Sequence, residues 1–157
     1  MKKRMALIGM LVVLVLAPVV AAPLSNGSWS VGVNLGTSAQ AATQYRVNDM
    51  LDIVAGIGYE FYWGALYGDV TANFKVWEFA ISDVPFDLTV GGGALVGLYN
   101  NEVELSLVAP VGITYSLADD VFPVDIYFRL GPAFRILKGY QTNFLGVYSY
   151  VGAMYRF

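Results

Sequence analysis

The alternation of apolar and polar residues along the chain predicts a series of β-strands. Within 51–61 and 103–117, nearly every second residue is apolar and mostly large, and the residues between are mainly small, polar or charged. Side chains on a strand point alternately to its two faces, so each segment has one apolar face. Turn-forming pairs such as Asn48-Asp49 and Asn100-Asn101 separate the segments. The pattern predicts eight strands joined by hairpin-length connections, at about 29–37, 43–47, 51–61, 66–77, 86–98, 103–117, 124–135 and a last strand ending at Phe157.

Charged residues inside the predicted strands all share the face opposite to the large apolar side chains. They are Arg46, Asp52, Glu60, Asp69, Lys75, Asp87, Glu104, Asp125, Arg129, Arg135 and Arg156. The other charges beyond the amino-terminal segment, Glu78 among them, are expected in or beside turns. An Arg or Lys on the lipid side of a strand costs about 2–4 kcal/mol at mid-bilayer, so a lipid-facing surface needs this exclusion and a water-facing one does not. The sequence therefore predicts an all-β fold: a closed antiparallel eight-stranded transmembrane β-barrel, an up-and-down meander with its ions inside.

The amino terminus has the layout of a secretory signal peptide. A basic head of Lys2, Lys3 and Arg4 precedes an apolar run over 5–16, and small residues follow Pro18. We expect cleavage after Ala21, which gives a leader over 1–21 and one barrel domain over 22–157. An uncleaved inner-membrane anchor is the alternative. No run of 18 apolar residues follows the leader, so no transmembrane helix is expected.

Composition excludes several classes of function. Without the leader, six basic residues face twelve acidic ones, a formal charge of −6 that argues against a nucleic-acid partner. The chain has no Cys, hence no disulfide, and no His, the commonest metal ligand and general base. We therefore expect no catalytic residue, no cofactor and no metal site. The run Gly91-Gly92-Gly93 lacks the Lys that follows in a phosphate loop, and it is predicted to be a kink that relieves crowding in a narrow barrel.

Aromatic residues on the apolar face are expected at the two rims of the barrel. With both termini on the inner side, one group falls near the inner rim and the other near the outer rim, as interfacial aromatics prefer. The inner group is Trp29, Phe86, Tyr115, Tyr155 and Phe157, and the outer group is Tyr59, Phe61 and Phe134. The alternative is that these rings fill the core of a soluble protein.

The inward ions suggest either a gated polar path or a packed plug. Eight strands enclose an interior that side chains just fill, and five basic residues against six acidic ones can neutralise one another. We favour the plug. Glu104 and Arg135 are symmetric about the Asp119-Asp120 turn and are expected to pair, while Arg46 and Asp52 are expected to face each other.

Two details of the strands carry separate expectations. Trp77 is expected to continue the inward face of the fourth strand. Pro110 and Pro132 lack the N–H that a ladder needs, so each should cause a bulge or a missing rung.

The closing residues 151–157 resemble the last strand of bacterial outer-membrane proteins. In that class a terminal Phe, with an aromatic residue two positions earlier, acts as a signal for barrel assembly, and Phe157 and Tyr155 match it. The chain is similar in pattern to the small eight-stranded barrels typified by outer membrane proteins A and X, and to uncharacterised barrel families. The resemblance implies the outer membrane of a Gram-negative-type bacterium, with membrane lipid and the barrel-assembly machinery as partners. Acyltransferases and deacylases of similar architecture rely on a His beside a Ser, and this chain has no His.

These observations predict an integral outer-membrane protein without catalysis, in a structural or surface-interaction role. The alternatives are a narrow channel for small or apolar solutes, an outer-membrane enzyme, and a secreted ligand-binding barrel. An extracellular ligand would meet the outward loops, predicted at 36–41, 62–64, 100–101 and 136–143, where Trp63 and Tyr140 are the exposed aromatic residues.

Overall fold

A computed structural model of the chain describes residues 27–61, 64–100, 102–117, 123–137 and 143–157. The predicted leader, Trp63, Tyr140 and the Asp119-Asp120 turn lie outside these residues. The strands are β1 (Ser28–Gly36), β2 (Ala39–Asn48), β3 (Leu51–Glu60), β4 (Ala65–Ile81), β5 (Val84–Tyr99), β6 (Glu102–Val108), β7 (Val111–Ser116), β8 (Val124–Leu137) and β9 (Leu145–Arg156).

The nine strands form one antiparallel sheet that closes on itself. Sequential neighbours pair from β1 to β5, and β8 pairs with β9. The ring closes because β1 also pairs with β9, with Val31 opposite Tyr155. Both β6 and β7 lie between β5 and β8, so nine strands occupy eight positions. The all-β, antiparallel, meandering fold is confirmed, and the eight continuous strands are a correction: the predicted sixth strand is two. Within the described ranges, no helix is long and apolar enough to cross a membrane.

The break between β6 and β7 falls at Pro110, as the missing amide predicts. The carbonyl oxygen of Pro110 accepts from the N–H of Gly91 at 2.7 Å, but Pro110 has no N–H to return. On the other side, the N–H of Ala109 donates to the carbonyl of Pro132 at 3.2 Å, and Pro132 likewise cannot donate. The two prolines therefore weaken adjacent ladders at the same level of the ring.

Strand alternation separates an apolar outer face from a polar interior. In β1, Val33 is 53% exposed and its neighbour Asn34 is 1% exposed. The same contrast recurs in β8, where Arg129 is 1% exposed between outward Phe128 and Leu130. The strand face that was predicted to hold the charged residues is thus the face that points into the interior.

Small residues in the interior face large side chains on neighbouring strands. A Cβ on Gly152 would lie 2.3 Å from Tyr127 Cζ, and one on Gly112 would lie 2.8 Å from Arg129 Cγ. A Cβ on Gly91 would lie 2.5 Å from Asn73 Oδ1, so this glycine relieves crowding, but residues 91–93 pair with 71–73 without the register shift that would mark the predicted kink. A larger residue at these positions would force its neighbours to shift, because the interior has little room beside the large side chains.

A bulge between Lys75 and Trp77 corrects the prediction for the end of the fourth strand. Trp77 pairs with Leu88 instead of continuing the inward face, and it is 64% exposed on the outer face. Glu78 lies within β4 opposite Asp87, and not in a turn. The hairpin turn is Ser82-Asp83, both at positive φ, so the two strands extend beyond their predicted ends at 77 and 86.

Strand β2 also differs from the prediction. It begins at Ala39 and is ten residues long, which reduces the predicted loop over 36–41 to a bend at 37–38.

Candidate functional site: the polar interior

The candidate site is the interior of the ring, whose buried polar side chains form layers along its axis. The near end is the end at which β1 begins and β9 finishes, and the far end holds the bend between β1 and β2. Eleven charged residues were predicted to line this interior, and most of them meet a partner of opposite charge from another strand.

At the far end, Glu104 and Arg135 form a buried ion pair. Arg135 Nε lies 2.9 Å from Glu104 Oε1, and Ser106 Oγ also donates to that oxygen at 3.4 Å. Arg135 Nη1 donates to the carbonyl oxygens of Asn143 and Leu145, so the same guanidinium ties β8 to the start of β9. Glu60, also predicted to face inward, is half-buried at the end of β3.

In the middle layer, a tyrosine takes the place of a cation. Tyr148 donates its hydroxyl to Asp69 Oδ2 at 2.6 Å. The Tyr150 hydroxyl contacts Ser38 Oγ at 2.8 Å and accepts from Gln40 Nε2 at 2.9 Å. This layer is held by uncharged donors, which still satisfy a buried carboxylate oxygen.

Two amides connect that layer to the next. Asn34 Nδ2 donates to Gln40 Oε1 at 3.2 Å, and the Tyr127 hydroxyl donates to Asn34 Oδ1. The guanidinium of Arg129 in turn lies over the Tyr127 ring in a cation–π contact, with its Cζ 4.1 Å from the ring centroid. The hydrogen-bonded chain therefore runs continuously from β2 to β8 across the interior.

Below it, Asp52 and Arg129 form a second pair. Arg129 Nη2 lies 3.3 Å from Asp52 Oδ1, and Asn73 Nδ2 donates to the same oxygen at 3.0 Å. The predicted register of Arg46 opposite Asp52 is confirmed. The ionic partners are different, because each of these residues meets a side chain of β8 across the ring.

At the near end, Asp125 is the common partner of two arginines. It is fully buried, and its oxygens lie 2.9 Å from Arg46 Nη2 and 3.4 Å from Arg156 Nε. Ser116 Oγ also donates to Asp125 at 2.6 Å. One carboxylate thus links β2, β7, β8 and β9.

Lys75 forms the last cluster, where the bulge in β4 places it between two carboxylates. Its Nζ lies 2.7 Å from Glu78 Oε2 and 2.7 Å from Asp87 Oδ1. Sequence reasoning did not place Glu78 on the inward face of the strand, since only a bulge brings it there, and its side chain remains 60% exposed.

Close to this cluster the interior contains a cavity of about 150 Å³. Inward side chains of β2 to β5 and β7 line it, and the turn between β2 and β3 forms part of its wall. The Asp52–Arg129 pair lies at its deep side, since Asp52 lines the cavity and Arg129 is 1% exposed.

The outer face carries aromatic groups at both ends. At the near end, Phe86 contacts both Phe79 and Tyr115, with ring centroids 5.7 and 5.5 Å apart. Also at this end are the pairs Trp29–Tyr45 and Tyr155–Phe157. At the far end are the pairs Tyr59–Phe61 and Phe134–Phe144. The predicted aromatic residues therefore occupy the two rims, while Phe74 and Phe128 lie between them.

Two interior amides, Gln40 and Gln44, escaped the sequence reading, and they are 4% and 2% exposed. Gln40 hydrogen-bonds to Asn34 and Tyr150, whereas Gln44 Oε1 has no hydrogen-bonding partner among the described residues. They lie at the same alternate strand positions as the charged residues, and this alternation is the sequence pattern that would have identified them. Buried apolar residues such as Leu95 and Val108 share this phase too, so the interior is mixed.

The described residues offer no group of three or more His, Cys, Asp or Glu side chains arranged to hold a metal ion. Comparison of the chain with protein-family models, with curated proteins and with solved structures finds no match in any of the three.

Proposed function

We propose that this protein is an integral β-barrel of a bacterial outer membrane, exported through a cleaved signal peptide and acting without catalysis in a structural or surface-interaction role. The observation that carries the proposal is the composition of the outer face. Around all eight strand positions, the outward residues of the described strands include no charged side chain. Soluble monomers rarely expose one continuous apolar surface of such extent.

The strand lengths and rims support the same proposal. A membrane-spanning strand needs about 9–11 residues, and β1, β2 and β3 have 9, 10 and 10. Strands β4, β5, β8 and β9 are longer, with 17, 16, 14 and 12 residues, and β6 and β7, with 7 and 6, follow one another at one strand position. Rings at both ends of the apolar surface fit the two interfaces of a bilayer. Closure of the ring leaves no strand edge in hydrocarbon, where unpaired amides would be costly.

Side chains that cross the interior favour a closed lumen over a channel. Arg129, Tyr127, Tyr148 and Tyr150 are each at most 2% exposed, so they fill the interior instead of lining an open path. We expect no steady current from the purified protein in a planar bilayer. A stable open current would favour the alternative, a narrow channel for small or apolar solutes.

Cell fractionation combined with gel migration tests the proposal as a whole. The protein should be recovered in the outer-membrane fraction, and unheated samples should migrate differently from boiled ones because closed barrels resist detergent until heated. Recovery of folded protein in the soluble periplasmic fraction would contradict the proposal.

A further inference from the structure

The near-end cavity combines acidic groups with buried polar ones. Asp52 and Asp87 line it, and their side chains are 14% and 32% exposed. Asn73, Thr89 and Thr114 line it as well and are 1%, 4% and 7% exposed. Its volume of about 150 Å³ has room for several water molecules or a small organic molecule.

Charge balance indicates the sign of a ligand. The cations that line the cavity, Arg46 and Lys75, already have carboxylate partners within 2.9 Å. Asp52 and Asp87 are paired as well, with Arg129 and Lys75, and Lys75 is shared between Asp87 and Glu78. Three carboxylates, those of Asp49, Asp52 and Asp87, line the cavity against the two cations. The lining therefore has an excess of one negative charge, which favours a cationic guest.

An independent observation indicates a hydroxyl contact. Thr114 Oγ1 is buried and has no hydrogen-bonding partner among the described residues. A buried polar group without a partner is costly, and a small polar guest in the cavity that Thr114 lines would supply one.

We propose that this cavity binds a small primary ammonium compound that carries a hydroxyl group. Asp87 and Asp52 accept hydrogen bonds from the ammonium group, and Thr114 and Asn73 contact the hydroxyl. This site goes beyond the structural role proposed above, and its test in nanodiscs rests on the proposed membrane location. The bulge in β4 is part of the site, because it brings Lys75 and Glu78 to the same side and leaves Asp87 shared.

Amide NMR of the folded protein in phosphatidylcholine nanodiscs tests the site, with ethanolammonium chloride as the probe and sodium chloride at equal ionic strength as the control. Amide signals of Asn73, Asp87 and Thr114 should shift and saturate with ethanolammonium only, while that of Glu104 at the far end stays in place. Equal shifts with sodium chloride or with sodium acetate would overturn the proposal.

Two variants make the test specific. Asp87→Asn should weaken ethanolammonium binding at least tenfold, and Thr114→Val should weaken it severalfold, while Glu102→Gln at the far end should leave it unchanged. Unchanged binding in both cavity variants would overturn the assignment. The spectra report whether each variant is folded, so loss of fold is distinguished from loss of binding.

A second nanodisc composition distinguishes the source of the ammonium group. Shifts of the same amides in phosphatidylethanolamine nanodiscs without added ethanolammonium would assign the site to a lipid headgroup. Shifts that require added ethanolammonium would assign it to a free amino alcohol.

Discussion

Arg135 Nε lies 2.9 Å from Glu104 Oε1 although Arg135 pairs in register with Ser106. Symmetry about the Asp119-Asp120 turn would place Arg135 directly opposite Glu104. The observed register is displaced from that arrangement, with Val111 opposite Leu130 and an irregularity between Leu105 and Ser106. The displacement of β7 against β8 is two residues, which keeps the same face, so a long Arg side chain still reaches the carboxylate diagonally.

This pair gives the first prediction. Glu104 and Arg135 are both buried, so removing one charge leaves the other without its partner. Glu104→Gln and Arg135→Met should each lower the free energy of unfolding by about 3 kcal/mol, and the double variant should recover part of that loss. Urea unfolding in lipid vesicles measures all four proteins. Losses that simply add would contradict the pairing.

The second prediction concerns the glycines that face large side chains. Gly152→Ala should lower the free energy of unfolding by about 1–3 kcal/mol, because the new methyl group would overlap Tyr127 and Asn34. Gly92→Ala is the matched control, since a Cβ there meets no atom within 4 Å. The same urea titration compares them. A tolerated Gly152→Ala would mean that the interior is looser than described.

The third prediction separates a lipid-facing surface from a water-facing one. Val33 lies at the middle of β1 and is 53% exposed, so Arg would be harmless there in a water-soluble ring. In a bilayer, Val33→Arg should cost about 2–4 kcal/mol and lower the amount of inserted protein, while Val33→Leu should not. Quantitative outer-membrane fractionation reports both. Equal insertion of the two variants would count against lipid contact at this face.

The alternation of the strands was readable because a single rule, the exclusion of charge from one face, holds from Trp29 to Phe157. The ionic partners of individual charged residues could not be read from the sequence. Arg46 faces Asp52 across the turn as predicted, yet its ionic partner is Asp125, 79 residues away. Closure of the ring decides such contacts, and local sequence spacing contains no information about them.

A bulge accounts for the errors at the end of the fourth strand. One inserted residue in β4 moves Trp77 to the outer face and Glu78 to the inner one, and alternation alone cannot locate an insertion. Cross-strand glycines offered an unused signal. Tyr127 lies opposite Gly152, and Arg129 opposite Gly112, so matching large inward residues to glycines would have improved the register.

The fourth prediction follows from the resemblance of the last strand to an assembly signal. Phe157 is 71% exposed, and its N–H donates to the carbonyl of Trp29 at 3.2 Å, so its ring contributes little to the packing of the interior. Deleting Phe157 should lower the amount of membrane-inserted protein while export continues. Phe61→Leu, which alters an exposed ring at the far end, is the control. Normal insertion of the Phe157 deletion at low expression would contradict an assembly role.

The central claim is that the apolar outer face contacts lipid, and fluorescence quenching tests it most directly. The chain has no Cys, so single cysteines can carry a fluorescent probe at Ile113 and Phe128 on the outer face, and at Arg46 and Asp87 beside the interior cavity. In lipid vesicles, a lipid-soluble quencher should reach the probes at Ile113 and Phe128 and leave those at Arg46 and Asp87 bright. Equal quenching of both pairs, or quenching of the outer pair by a water-soluble reagent alone, would contradict the claim.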